Sequence, residues 1–148
     1  MRRTSQIALS CVAIFSLLLP AASATSKAPV TYMIKTSDKV AFITIDDGYT
    51  PNQAARDFII EKNIPITLFL IADVWSNSRL RKFYRPLLEA GALVGNHTKS
   101  HTQLTTAHGG AAKRAICEGA AIDAKQTGTR PVWLRPPYGS FDQRTQEL

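Results

Sequence analysis

Two cysteines in 148 residues leave little scope for thiol chemistry. Cys11 lies in an apolar leader-like segment, and without that segment Cys117 stands alone. An internal disulfide and a zinc site of paired cysteines are therefore excluded for the mature chain. No G-x-S-x-G signature is present, so a serine nucleophile elbow is not on offer. No basic run carries interleaved aromatics, which leaves nucleic-acid binding without support. The chain has no internal repeat and no low-complexity tract. Its longest apolar stretch, Ile7–Leu19, has 13 residues, well short of the roughly 20 needed to span a bilayer.

What is present begins with that leader. Arg2 and Arg3 precede the apolar stretch, and Ala22-Ser23-Ala24 follows it as a small-residue cleavage site. Residues 1–24 thus read as a secretion signal, with an uncleaved membrane anchor as the alternative. Cleavage lowers the formal net charge of +7 by two, with Arg2 and Arg3. The mature protein is expected outside the cell or at the cell wall, with no membrane span and as a monomer. Its mild basicity suits an anionic surface, although scattered solubilising lysines and arginines account for it equally well.

Thr25–Asp38 is polar and mixed and reads as a loose arm. An alternating rhythm follows. Val40–Ile45, Ile66–Ile71, Ala92–Asn96 and Val132–Arg135 read as strands. Asn52–Lys62, Ser78–Ala90 and Gly110–Lys125 carry apolar residues at helical spacing. Gln143–Leu148 looks like the start of another helix. Strand–helix alternation implies parallel strands joined by helical crossovers. In such α/β architectures, barrel or open sheet, sites gather at the carboxyl ends of the strands.

Three polar signatures stand at those ends: Asp46-Asp47-Gly48, His97-Thr98-Lys99-Ser100-His101, and Arg135-Pro136-Pro137-Tyr138-Gly139. Asp-Gly alone is an ordinary turn pair, and H-x-x-x-H alone is weak. Together they read as a metal site with a base beside it. Two histidines four apart, placed on one turn of helix, project to one face and reach one ion. Two adjacent acids at the end of a buried strand are costly unless cations offset them; a metal beside one and an arginine beside the other would do so. One carboxylate with two histidines leaves positions open for water and substrate, and the second acid is free to act as a base. A rigid Pro-Pro turn after Arg135 offers a backbone N–H to an oxyanion. His108 reads as a loop residue. Cys117 reads as a small core residue. Trp75 and Trp133 read as packing residues, with sugar stacking as the alternative for an exposed Trp75.

The three signatures, in order and spacing, resemble the motifs of the NodB-like polysaccharide deacetylases, carbohydrate esterase family 4. T-F-D-D-G is similar to Thr44-Ile45-Asp46-Asp47-Gly48, H-[ST]-x-x-H to His97–His101, and R-x-P-[YF] to Arg135–Tyr138. The resemblance covers Val40–Leu148, giving an expected domain at 39–148. It implies a distorted (β/α) barrel and metal-assisted removal of N-acetyl or O-acetyl groups from a polysaccharide such as chitin oligomers, peptidoglycan or xylan, with release of acetate. It implies Asp46 as general base and Asp47, His97 and His101 as ligands of a divalent metal, zinc first, cobalt or nickel otherwise. It implies Arg135 orienting Asp46, and the Tyr138 N–H at the oxyanion. Tyr49 stands where many members have proline. The family's fourth and fifth motifs have no counterpart before Leu148, so the resemblance implies a C-terminally truncated barrel, impaired alone. A carbohydrate-binding remnant without turnover is the alternative.

Overall fold

The computed structural model describes residues 27–148; the expected signal segment lies outside the described residues. Its centre is a parallel sheet of three strands in the order β1 (Ile43–Asp47), β2 (Ile66–Leu70), β3 (Leu93–Asn96). Helices α1 (Gln53–Glu61) and α2 (Ser78–Glu89) return the chain between successive strands. After β3 come α3 (Ala111–Thr127) and a final short helix, α4 (Gln143–Gln146). The expectation of an α/β unit with parallel strands holds.

The register fixes what each face carries. Ile45 pairs with Leu68 and Leu68 with Val94, so these residues share the helix-facing side. There Ile66, Leu68 and Leu70 join Val74, Trp75, Leu80, Tyr84 and Leu87 in one core. Asp46 pairs with Phe69 and Phe69 with Gly95, so Thr44, Asp46, Phe69 and Gly95 line the opposite face. β2, flanked on both sides, is nearly all buried; β1, at the edge, is mostly exposed.

Local chemistry sets the helix boundaries. The Asn52 side chain caps α1 by accepting from Ala55 N–H, and Asn77 caps α2 by accepting from Arg79 and Leu80 N–H. α3 ends at Gly128, which adopts the left-handed conformation at φ 79°.

Several expectations shift. β1 begins at Ile43 and runs through both aspartates, because the ladder to β2 continues to Asp47↔Leu70 while Val40 and Phe42 stay exposed. The fourth strand is a single bridge, Asn96↔Leu134. An additional 3-10 turn spans Ala72–Ser76. Trp75 within it is 1% exposed, so it packs and is closed to sugars. Trp133 is exposed instead of packed, and Cys117 is exposed on α3 instead of buried. The arm carries no regular element among its described residues, but Ala28 N–H donates to Gln146 O at 2.7 Å.

Candidate metal centre

Asp47 ends β1 at φ 64°, followed by Gly48 at φ 96°. A side chain at 48 is excluded twice over. The φ favours glycine, and a Cβ would come within 2.8 Å of Leu70 Cδ2. The Tyr84 hydroxyl donates to Gly48 O at 3.1 Å, tying this turn to α2; burial pushes the Tyr84 phenol up from its ordinary pKa.

The two histidines are not on a helix. Residues 98–100 form a turn, with Thr98 at φ 66° and His101 at φ 57°. Two left-handed residues fold the chain back, and the imidazoles face each other with ring centroids 5.1 Å apart. The helical route to a shared face is thereby replaced by a turn with the same outcome. The turn is fastened on every side. Asn96 Oδ1 accepts from Thr98 N–H at 2.8 Å, and Asn96 Nδ2 donates to Ile116 O at 2.8 Å. Thr98 Oγ1 accepts from Thr102 N–H, and Lys99 N–H donates to Ala115 O. Ala72 and Asp73 N–H donate to the carbonyls of Thr98 and Lys99. A Cβ on Gly119 would lie 2.7 Å from Asn96 Oδ1, so α3 approaches the turn only through a glycine.

Asp47 Oδ1 lies 3.2 Å from His97 Nε2 and 3.3 Å from His101 Nε2. One ligand atom from each of the three residues falls within 4.8 Å of the others. His97 is 3% exposed, and its Nδ1 sits 2.7 Å from Arg135 O. With a proton on Nδ1 donated to that carbonyl, Nε2 keeps its lone pair toward Asp47 and His101. One carboxylate oxygen and two imidazole nitrogens suit zinc or another borderline divalent ion, so the residues fit the expected group.

Asp46 points to the other face of the sheet. Its Oδ1 accepts from Arg135 Nη1 at 2.5 Å, and Thr44 Oγ1 accepts from the same nitrogen at 2.8 Å. Thr44 was not among the expected site residues; its place two positions before Asp46, on the same strand face, is the signal that finds it.

The Tyr138 ring lies edge-on to His101, centroids 4.5 Å apart. Tyr138 has φ 60°, and its turn is closed by Gly139 N–H to Pro136 O and Ser140 N–H to Pro137 O, not by its own amide. Among the described residues, five non-glycine residues have positive φ: Asp47, Asn63, Thr98, His101 and Tyr138. Four of them are in the three signatures, which is where backbone strain concentrates when geometry serves a site. His108 lies exposed in a loop, away from the cluster.

A further buried group went unread in the sequence. Asp123 of α3 is 0% exposed and accepts from Trp75 Nε1 at 2.9 Å, while its Oδ2 has no hydrogen-bond partner. Burial pushes its pKa up to about 6, only partly opposed by the Trp75 hydrogen bond.

The family model for polysaccharide deacetylases matches residues 33–148. The chain is 31% identical over 124 residues to a peptidoglycan-N-acetylglucosamine deacetylase of Listeria monocytogenes, covering 82% of this chain and 26% of that protein. It is 30% identical over 106 residues to chitin deacetylase 1 of Saccharomyces cerevisiae, covering 71% and 34% respectively. The chain thus spans about a third or less of these curated relatives. Among solved structures, a peptidoglycan deacetylase of Bacillus subtilis superposes with a TM-score of 0.63 at 29% identity, covering 76% of this chain and 55% of that one. The chain belongs to the NodB-like polysaccharide deacetylases, carbohydrate esterase family 4.

Proposed function

We propose that this protein is a metal-dependent deacetylase that hydrolyses N-acetyl groups on an extracellular polysaccharide and releases acetate. The observation that carries this reading is the convergence of Asp47, His97 and His101 beside a separate Asp46–Arg135 pair. Asp47, His97 and His101 would hold a divalent ion, zinc in the first instance and cobalt or nickel as alternatives. When bound, such an ion polarises the acyl carbonyl as a Lewis acid and makes water easier to deprotonate.

Asp46 accepts the proton of the attacking water as general base. Arg135 fixes the carboxylate orientation through a charge-assisted hydrogen bond, and Thr44 steadies the guanidinium. The His97 Nδ1 contact with Arg135 O sets the tautomer that leaves Nε2 free for the ion. The Tyr138 N–H, unused in its own turn, donates to the oxygen that gains negative charge.

The parallel sheet is read as a sector of the distorted (β/α) barrel expected from the sequence. Among the described residues no helix is long and apolar enough to cross a membrane, which is compatible with a secreted or wall-associated protein. Peptidoglycan is the first substrate to test, with chitin oligomers and acetylated xylan beside it. The test is acetate release from these three glycans before and after chelation. Activity lost on chelation and restored by zinc, cobalt or nickel supports the reading. No metal-dependent acetate release from any of them, by this chain or by a longer chain that carries the remaining family motifs, contradicts it and favours a carbohydrate-binding role.

A further inference from the structure

Two strands stand between Arg135 and its partner Asp46. Arg135 follows the bridge on the far side of β3, since its N–H donates to Asn96 O, whereas Asp46 belongs to β1 at the opposite edge. The side chain therefore has to lean back across the sheet. Long side chains lose much rotamer freedom when held in one such pose, so something has to hold it.

The residue beneath it is Phe69. Arg135 Cζ lies 4.1 Å from the Phe69 ring centroid, well inside cation–π range. Asp46, Phe69 and Gly95 form one transverse row across the three strands. Gly95 has no side chain in this row, and the Phe69 ring occupies the space. A Cβ on residue 95 would come within 3.0 Å of three ring carbons. Phe69 is 8% exposed, so its ring is held in place, not free to swing in solvent.

We propose that Phe69 is a positioning residue for the general base, and that Gly95 is the opening that admits it. The ring face carries the guanidinium across β2 and presents Nη1 to Thr44 Oγ1 and Asp46 Oδ1. This rests on the deacetylase reading above. The inference adds Phe69 and Gly95 to the machinery, neither of which touches substrate or ion.

The test replaces Phe69 with mono-, di- and trifluorophenylalanine in the full chain, alongside Phe69→Leu and Gly95→Ala. Fluorination weakens the ring's negative face with little change in size, so a purely structural role is nearly blind to it. Two readouts are taken: steady-state kinetics with zinc content, and the NMR resonances of the Arg135 side-chain N–H groups, which need neither substrate nor metal. The expected result is a stepwise fall in kcat with fluorination, roughly tenfold for Phe69→Leu, at unchanged KM and zinc content. The Arg135 resonances, shifted by the ring current in the parent protein, should move toward free-arginine values in Phe69→Leu and Gly95→Ala. A trifluorinated protein with parent kcat overturns the proposal. So does an Arg135 resonance indifferent to residue 69. If neither this chain nor a longer chain that carries the remaining family motifs releases acetate while the resonances respond as expected, the deacetylase reading falls and the placement of Arg135 by Phe69 stands.

Discussion

Asp46 and Asp47 are bonded neighbours whose carboxylates serve different partners. Asp46 Oδ1 meets Arg135 Nη1 at 2.5 Å, whereas Asp47 Oδ1 meets His97 Nε2 at 3.2 Å and His101 Nε2 at 3.3 Å. Strand alternation separates the two side chains, and Asp47 itself has left-handed backbone at φ 64°. One dipeptide thereby places one carboxylate against a guanidinium and the other beside two imidazoles.

The roles proposed for the two acids separate in a simple pair of variants. Asp46→Asn should lower deacetylation by about 10²–10⁴-fold while the bound metal stays. Asp47→Asn should lose the metal. Metal content by mass spectrometry beside acetate release checks this. Metal loss in Asp46→Asn with retention in Asp47→Asn would reverse the assignment.

Asn96 holds the histidine turn from beneath, with one bond to Thr98 N–H and one to Ile116 O. Asn96→Ala removes both and leaves buried polar groups unpaired. It should cost about 2–6 kcal/mol of stability, counting about 1–3 for each orphaned group. Chemical denaturation checks the loss. Weakened zinc binding by calorimetry should accompany it, because the turn carries two of the three proposed ligands.

Asp123 makes stability depend on pH in an unusual direction for a carboxylate. Its folded pKa is raised to about 6 from an ordinary 3.8. The native state therefore binds this proton more tightly than the unfolded state, and stability from this group falls as pH rises from about 4 to about 6, then levels off. The full effect is on the order of 2–3 kcal/mol. Asp123→Asn keeps an acceptor for Trp75 and should remove this slope. Urea midpoints between pH 4 and 7 for both proteins measure it, and parallel curves would contradict it.

The residues that come together at the site were legible in the sequence because they are written in short segments at strand ends. The geometry of the site was less so. H-x-x-x-H suggests a helix, but the same convergence arises from a turn with left-handed residues at Thr98 and His101, and non-glycine residues give little sign of that conformation. Apolar Val40 and Phe42 look like strand interior in the sequence, whereas the hydrogen-bond ladder to β2 starts at Ile43. Trp75–Asp123 was invisible because its partners lie 48 residues apart. An aspartate in an alanine-rich helix reads as solvent-facing until the Trp75 ring is placed against it.

The most direct measurement is anomalous diffraction at the zinc edge from zinc-soaked crystals of this chain. The account predicts a peak about 2.0–2.2 Å from Asp47 Oδ1, His97 Nε2 and His101 Nε2, with Asp46 still paired to Arg135. Zinc bound elsewhere, or ligated by Asp46 in place of Asp47, would contradict it.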